Sequence, residues 1–409
     1  MWRIYGRGGG LGVMKSVRRL FEVGGSINQR GILVHPAIQP YRGELFAALS
    51  HDPGLHFLFV GWASHNRLLL PQSRIHSWEV LDDRSWLRYR QGVNFAVAYR
   101  AAQGRYRYWV ASTINCFPTH VAFPIVSGRR RPFLLWTEDW WWPSGLEGQV
   151  AALYGRRILR GADAVIAAGS RARDFASANG ARYVFVAHNA TENLGRRPWQ
   201  PMDVKGLRRA LGLEGKFVVL FLNDIIPVKG LDILLHAFAR LRHSVPSTHL
   251  LIVGDGFDRA ACERLATELR LADVTFMGER AHDEIHLFYR LADAYIHPAR
   301  FVDEGRVRGD AWGFTINEAL SIGCPVITTT AVGGAQDLIV PDRSGIIVRA
   351  GDPDSLAQAM IRLVKNPAQR SDIGEAGRRR AEQFTPQRQY QEFRAALTAL
   401  GLERNVDEV

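Results

Sequence analysis

Cysteine is scarce in this chain, and the three present (Cys116, Cys262 and Cys324) lie far apart with no CxxC pair. That spacing argues against a zinc framework or a disulfide scaffold and fits a reducing cytoplasm. Long apolar runs are missing too, since no uninterrupted stretch reaches the roughly 18 to 20 residues of a bilayer span. A secretory signal is not expected, because residues 6–12 are glycine-rich where an apolar segment would be required. These absences point to a cytoplasmic protein, with any membrane contact peripheral.

Acids are outnumbered, with 40 Asp and Glu against 52 Lys and Arg, for a formal net charge of +12. Arginine runs stand at 129–131 and 378–380. Such a field favours an anionic membrane surface, nucleic acid or phosphorylated substrates, and carries no information about fold. A coding bias toward arginine accounts for it as well as a membrane-surface role does. No specific nucleic-acid partner is expected. Hydrophobic residues make up 47% of the 409, enough for two or three globular domains.

Residues 1–29 read as a flexible tail; Gly8-Gly9-Gly10 follows no strand, so a phosphate loop there is unsupported. Short β-rich runs then alternate with helical segments, the pattern of a parallel sheet flanked by helices. The runs centre on 32–34, 57–60, 108–110, 133–136, 164–167 and 183–186. A polar stretch, 189–204, carries Pro198 and Pro201 and reads as a linker. Beyond it the alternation resumes at 217–221, 250–253, 274–277, 294–296, 325–327 and 345–348. The expectation is α/β, with one doubly wound, Rossmann-like domain over 30–195 and a second over 196–384. Two such sheets facing each other make a deep cleft outside their strand ends. In the last segment, 385–409, Tyr390, Phe393, Leu397 and Leu400 share one helical face. That helix is expected to pack back on the first domain.

The strongest local signal runs from Asp310 through Gly313, Phe314 and Thr315 to Glu318 and into the apolar stretch 325–327. An acid-bearing loop passes through a glycine into a helix start, where free amides suit a diphosphate. Glu318, one turn in, could accept from ribose hydroxyls, and Asp310 would reach a sugar ring. Thr315 and Glu318 also satisfy a capping box, so the motif alone leaves capping and ligand binding level.

Other segments add to it: Val332-Gly333-Gly334, Pro227-Val228-Lys229-Gly230, Val253-Gly254-Asp255-Gly256, Val274 to Gly278, Ala292-Asp293-Ala294, and Pro40-Tyr41-Arg42 with Leu45 and Phe46. Taken together, in their order along the chain, they resemble the family 4 glycosyltransferases, retaining enzymes of the GT-B fold with two Rossmann-like domains. The resemblance covers most of the chain. It implies transfer of a hexose-type sugar from a UDP- or GDP-linked donor to a glycan or lipid-linked glycan, as in polysaccharide biosynthesis. No metal or cofactor is implied beyond the nucleotide-sugar itself.

By the same resemblance Glu318 would hold the ribose, Asp310 the transferred sugar and Lys229 the donor phosphates. Gly313, Phe314 and Thr315 would meet the sugar or phosphate through their backbone. The family's first acid is usually glutamate, one methylene longer than Asp310. Where it carries Gly-Arg-Leu this chain has Asn223-Asp224-Ile225. An aspartate there would repel phosphate if desolvated, and Arg300, Arg306 or Arg308 are candidates to compensate. The family's histidine near the fourth strand is also missing. Trp136-Thr137-Glu138-Asp139 and Trp140-Trp141-Trp142 occupy that region, with Glu138 a candidate catalytic acid and His120 a second candidate. Asp224 and the missing histidine keep open a non-catalytic scaffold, and an epimerase of the same fold is the other alternative.

Overall fold

A computed structural model describes residues 21–24, 31–37, 42–51, 55–60, 73–81, 96–302 and 309–402. Two sheets organise them. The first contains β1 (Phe21–Gly24), β2 (Gly31–His35), β3 (Leu55–Phe59), β4 (Trp78–Leu81), β5 (Tyr108–Ser112), β6 (Phe133–Thr137), β7 (Ala164–Ala167) and β8 (Val184–Val186). Its order is β1-β4-β3-β2-β5-β6-β7-β8, with β1 antiparallel to β4 and every other pairing parallel.

The second contains β9 (Phe217–Leu222), β10 (Thr248–Val253), β11 (Val274–Phe276), β12 (Ala294–His297), β13 (Val326–Thr329) and β14 (Ile346–Val348). These are all parallel, in the order β11-β10-β9-β12-β13-β14.

Strands such as β3 and β10 are buried along their whole length, because helices cover both faces of a parallel sheet. Alternation along β9 divides the second domain's core. Val218, Leu220 and Leu222 face one cluster, while Val219 and Phe221 face the other. In both sheets the strand order reverses once, between β2 and β5 and between β9 and β12. A crevice opens at each reversal, where loops leave in opposite directions.

The helix Pro386–Ala399 buries Phe393, Ala396 and Leu397 in the first domain's core, beside Leu45, Phe46 and Leu49. The chain therefore passes between the domains twice. The two passages are tied together, since Gln389 Nε2 donates to Asn189 Oδ1 at 2.9 Å. Asn317 Nδ2 also donates to Thr191 Oγ1 and to the Phe384 carbonyl, both at 3.2 Å.

Three local expectations change. Phe21–Gly24, within the expected tail, pair with Trp78–Leu81 as an edge strand. The other residues of 1–29 lie outside the described residues. Strand β4 escaped the reading of apolar runs because Glu79 interrupts it. That carboxylate is buried and held by the Arg100 guanidinium. Finally, Pro201 opens the helix Pro201–Ala210 and so ends the linker early, since proline's missing N–H costs nothing in a first helical turn.

Candidate active site at the second switch point

Gly313 makes the turn into the helix Phe314–Ile322. It has φ +92°, and a Cβ there would come within 2.8 Å of Val332 Cγ1. Only glycine takes that backbone without strain or collision. The helix N-terminus is thereby brought against the ends of β9 and β12, where Asn223 and His297 stand.

Thr315 does not cap the helix. The N-cap is Gly313, with no side-chain cap. The threonine hydroxyl instead accepts from Tyr295 Oη at 2.7 Å and from Asn223 Nδ2 at 3.2 Å. It lies 3.1 Å from His297 Nδ1, and His297 Nε2 lies 2.8 Å from Asp310 Oδ2. A carboxylate can only accept, so Nε2 carries the proton and Nδ1 receives the threonine's. The result is a directed chain, Tyr295 to Thr315 to His297 to Asp310. Burial lowers the His297 pKa, with Asp310 opposing and Lys229 adding to the effect, so a neutral ring fits this role.

Asp310 also meets Lys229, whose Nζ is 2.6 Å from Oδ2. Burial alone would raise the Asp310 pKa, but the Lys229 ammonium and the His297 hydrogen bond hold it well below the usual carboxylate range. Lys229 arrives on the 3-10 turn Pro227–Lys229 after β9.

Glu318 is buried one turn into the helix and does not reach back to its N-terminus. Its Oε2 accepts from Tyr289 Oη at 2.9 Å. Burial pushes its pKa up to about 7 despite that bond. The capping-box alternative is therefore excluded at both of its residues.

Gly254 and Gly256 are turn residues packed on the loop after β9. A Cβ at either would stand 2.0 Å from the Asn223 carbonyl oxygen or 2.2 Å from that of Ile225. Asp224 is solvent-exposed, so the desolvated repulsion expected of it is not built into this arrangement. Arg300 does not turn toward Asp310: its Nε donates to the Pro227 carbonyl at 3.0 Å and lies 3.5 Å from Asp232. Arg306, Arg308, Pro40 and Tyr41 lie outside the described residues.

The first domain supplies the facing wall. Arg42 pairs with Glu138, and its guanidinium lies 4.9 Å from the Trp136 ring and 5.3 Å from the Phe314 ring. Glu138 is thus engaged by an arginine at the cleft and not presented alone. Asp139 is consumed structurally, accepting from Thr113, Ile114, Asn115 and Thr137. His120 Nε2 is 2.7 Å from the Ile114 carbonyl, and its ring packs edge-on to Tyr154. Both contacts are structural.

The three tryptophans divide. Trp140 Nε1 donates across the domains to the Asp310 carbonyl at 3.3 Å, and Trp142 Nε1 donates to Asn179 within the first domain. Trp141 meets Trp140 edge-on.

Sequence reasoning missed His297, Asn223, Tyr289 and Tyr295. The histidine directly before Pro298, where an apolar strand ends, was the one available signal. The sequence contains one Asp-x-Asp, Asp352-Pro353-Asp354. It starts a helix, with Asp352 Oδ1 accepting from the Asp354 and Ser355 amides. Among the described residues no cluster of three or more His, Cys, Asp or Glu is placed to hold a metal.

Two Rossmann-ordered sheets facing each other, with a buried acid–lysine pair at the switch point of the second, define the two-domain GT-B fold. Residues 203–380 match the family described as "Glycosyl transferases group 1". The matched stretch contains Lys229 and every described residue of the acid-bearing helix turn.

The chain is 32% identical over 186 residues to the GDP-mannose-dependent monoacylated alpha-(1-6)-phosphatidylinositol monomannoside mannosyltransferase of Corynebacterium glutamicum, covering 45% of this chain and 48% of that protein. It is 31% identical over 225 residues to the GDP-mannose-dependent alpha-(1-6)-phosphatidylinositol monomannoside mannosyltransferase of Mycobacterium tuberculosis, covering 54% and 58%. The chain spans about half the length of the curated relatives it matches. Its fold is similar to that of the Anabaena HepE protein solved with UDP, with a TM-score of 0.76 at 21% identity, covering 91% of this chain and 100% of that one.

Proposed function

We propose that this chain transfers a hexose from a nucleotide-sugar donor to a lipid-linked glycan, with retention of anomeric configuration. The observation that carries the reading is the convergence of Lys229, Asp310 and the Thr315 end of a helix at one strand switch point. Lys229 and the helix N-terminus supply positive charge for a diphosphate. Asp310, oriented by His297, offers fixed acceptor atoms to sugar hydroxyls, and Glu318 offers a carboxyl to the ribose. Because Lys229 is held by Asp310, donor phosphate would compete with that carboxylate for the ammonium.

In the reaction, the bond from the anomeric carbon to the donor phosphate oxygen breaks. The acceptor oxygen bonds to that carbon on the same face, and its proton passes to the departing phosphate. Lys229 and the helix N-terminus offset the charge that develops there. Closure of the two domains excludes water that would otherwise hydrolyse the donor.

GDP-mannose is the first donor to test, and a phosphatidylinositol mannoside the first acceptor, because the names of the relatives above give both. With an acceptor of that kind the reaction would take place at a membrane surface. Thermal unfolding with GDP-mannose, UDP-glucose and ADP-glucose, each at a hundredfold excess over Kd, should show stabilisation of about 2.7 kcal/mol for one nucleotide class. Glu318→Ala should abolish it. A folded protein that none of the three stabilises would sink the reading.

A further inference from the structure

The helix Gly145–Gly161 carries an apolar stripe that no described residue covers. Leu146, Val150 and Leu153 are 81%, 70% and 74% exposed. Their spacing puts them on one face over two turns. The opposite side of the same helix is fully committed, with Ala152, Ile158 and Leu159 in the first domain's core. Exposed leucines taken singly need no explanation, but a contiguous row beside an open groove does. That groove, about 1170 Å³, runs between this helix and the helix Phe117–Gly128, and is lined by Val150, Leu153, Phe123 and Pro124.

The stripe continues into charge. Arg157 and Arg160 follow Leu153 at the same helical spacing and line the same groove. Arg129, Arg130 and Arg131, all exposed, close the end of the neighbouring helix. Among the described residues none of these five makes an ion pair, whereas most arginines of the second domain do. The patch therefore has an apolar centre and an unneutralised cationic rim.

We propose that this face docks on an anionic lipid bilayer, with Leu146, Val150 and Leu153 entering the interfacial region and the arginines meeting lipid phosphates. Charge decides between the candidate occupants. A second copy related by a two-fold axis would set arginines against arginines, while an anionic surface satisfies all five at once. Apolar insertion plus a polybasic rim is the two-signal combination that makes peripheral binding stable. Leu146 lies at the start of the helix, just after Trp140, which reaches across to Asp310. Docking on this face therefore brings the cleft mouth to the lipid surface.

The test is flotation of the full chain with vesicles, without donor or acceptor, so its outcome is independent of glycosyl transfer. Wild type should float with phosphatidylglycerol–phosphatidylcholine vesicles and not with phosphatidylcholine alone, and added salt should weaken the binding. The triple variant L146S/V150S/L153S and the charge variant R130E/R131E/R157E should each lose at least about tenfold in partition, equivalent to about 1.4 kcal/mol. Both should keep the wild-type Tm, since every substituted side chain is exposed. Undiminished flotation of the folded triple variant would overturn the proposal. So would a wild-type dimer in sedimentation that the triple variant dissolves, because a second copy would then own the face.

Discussion

Tyr289 donates its hydroxyl to Glu318 Oε2 at 2.9 Å, so the buried acid of the helix Phe314–Ile322 is held from the second domain's interior and not by its own backbone. Burial pushes its pKa up to about 7, against roughly 4.3 in the unfolded chain. The folded state therefore binds the extra proton between these values, and stability falls as pH rises through that window. Glu318→Gln should remove this slope and raise stability above pH 7 by on the order of 3 kcal/mol, while weakening nucleotide binding. Denaturant unfolding at several pH values, with and without nucleotide, checks both signs.

Asp310 titrates the other way. Lys229 and His297 outweigh the cost of burial and depress its pKa. The stability this contributes is complete above the unfolded value near 3.9 and is lost progressively as pH falls below it. Asp310→Asn should therefore be less stable than wild type at neutral pH, with the gap narrowing in acid. Transferase activity should drop by about 100-fold or more, as for loss of a preorganised polar group at a reacting centre. An unchanged acid limb in the stability profile would count against the Lys229 pairing.

At Gly254 the backbone of one loop rests on another. With φ +133° and the Asn223 carbonyl 2.0 Å from where a Cβ would sit, neither partner can yield cheaply. Gly254→Ala should cost on the order of 2–4 kcal/mol. It should also displace Asn223, and with it the hydrogen bonds to Thr315 and His297, so donor affinity falls as well. Urea unfolding and nucleotide titration would separate the two effects.

Asp337 of the second domain serves the helix Ser170–Ala178 of the first. Its carboxylate accepts from the Ser170 amide at 3.0 Å and from the Ser170 hydroxyl, satisfying a helix N-terminus from across the cleft. Arg171 Nη1 reinforces the contact by donating to the Thr330 carbonyl at 2.8 Å. Asp337→Ala should cost about 1–3 kcal/mol and let the domains separate. Small-angle scattering should report a larger radius of gyration, and donor hydrolysis without acceptor should rise.

Much of this molecule was legible from periodicity. The apolar runs at 217–221 and 250–253 became β9 and β10, and their alternation with helices gave the doubly wound sheets. Gly313 stood out as the glycine through which an acid-bearing loop enters a helix, and Lys229 through the resemblance of its Pro-x-Lys-Gly turn. Glu79 hid β4 because a buried acid looks polar until its arginine, 21 residues later, is brought beside it. Thr315 and Glu318 fit a capping box and a ligand site equally well, since both readings use the same spacing along one helix.

What the sequence by itself determined is therefore the parallel α/β architecture and the identity of the loops that leave each strand end. These follow from the strand and helix periods and from the φ angles that glycine and proline allow. Only the tertiary structure decided what those loops do. Asn223, His297 and Thr315 are 18 to 92 residues apart in the chain, and no local propensity specifies their meeting. The sheet order does so by setting β9 beside β12, and the same closure turns Glu318 toward Tyr289 and Lys229 toward Asp310.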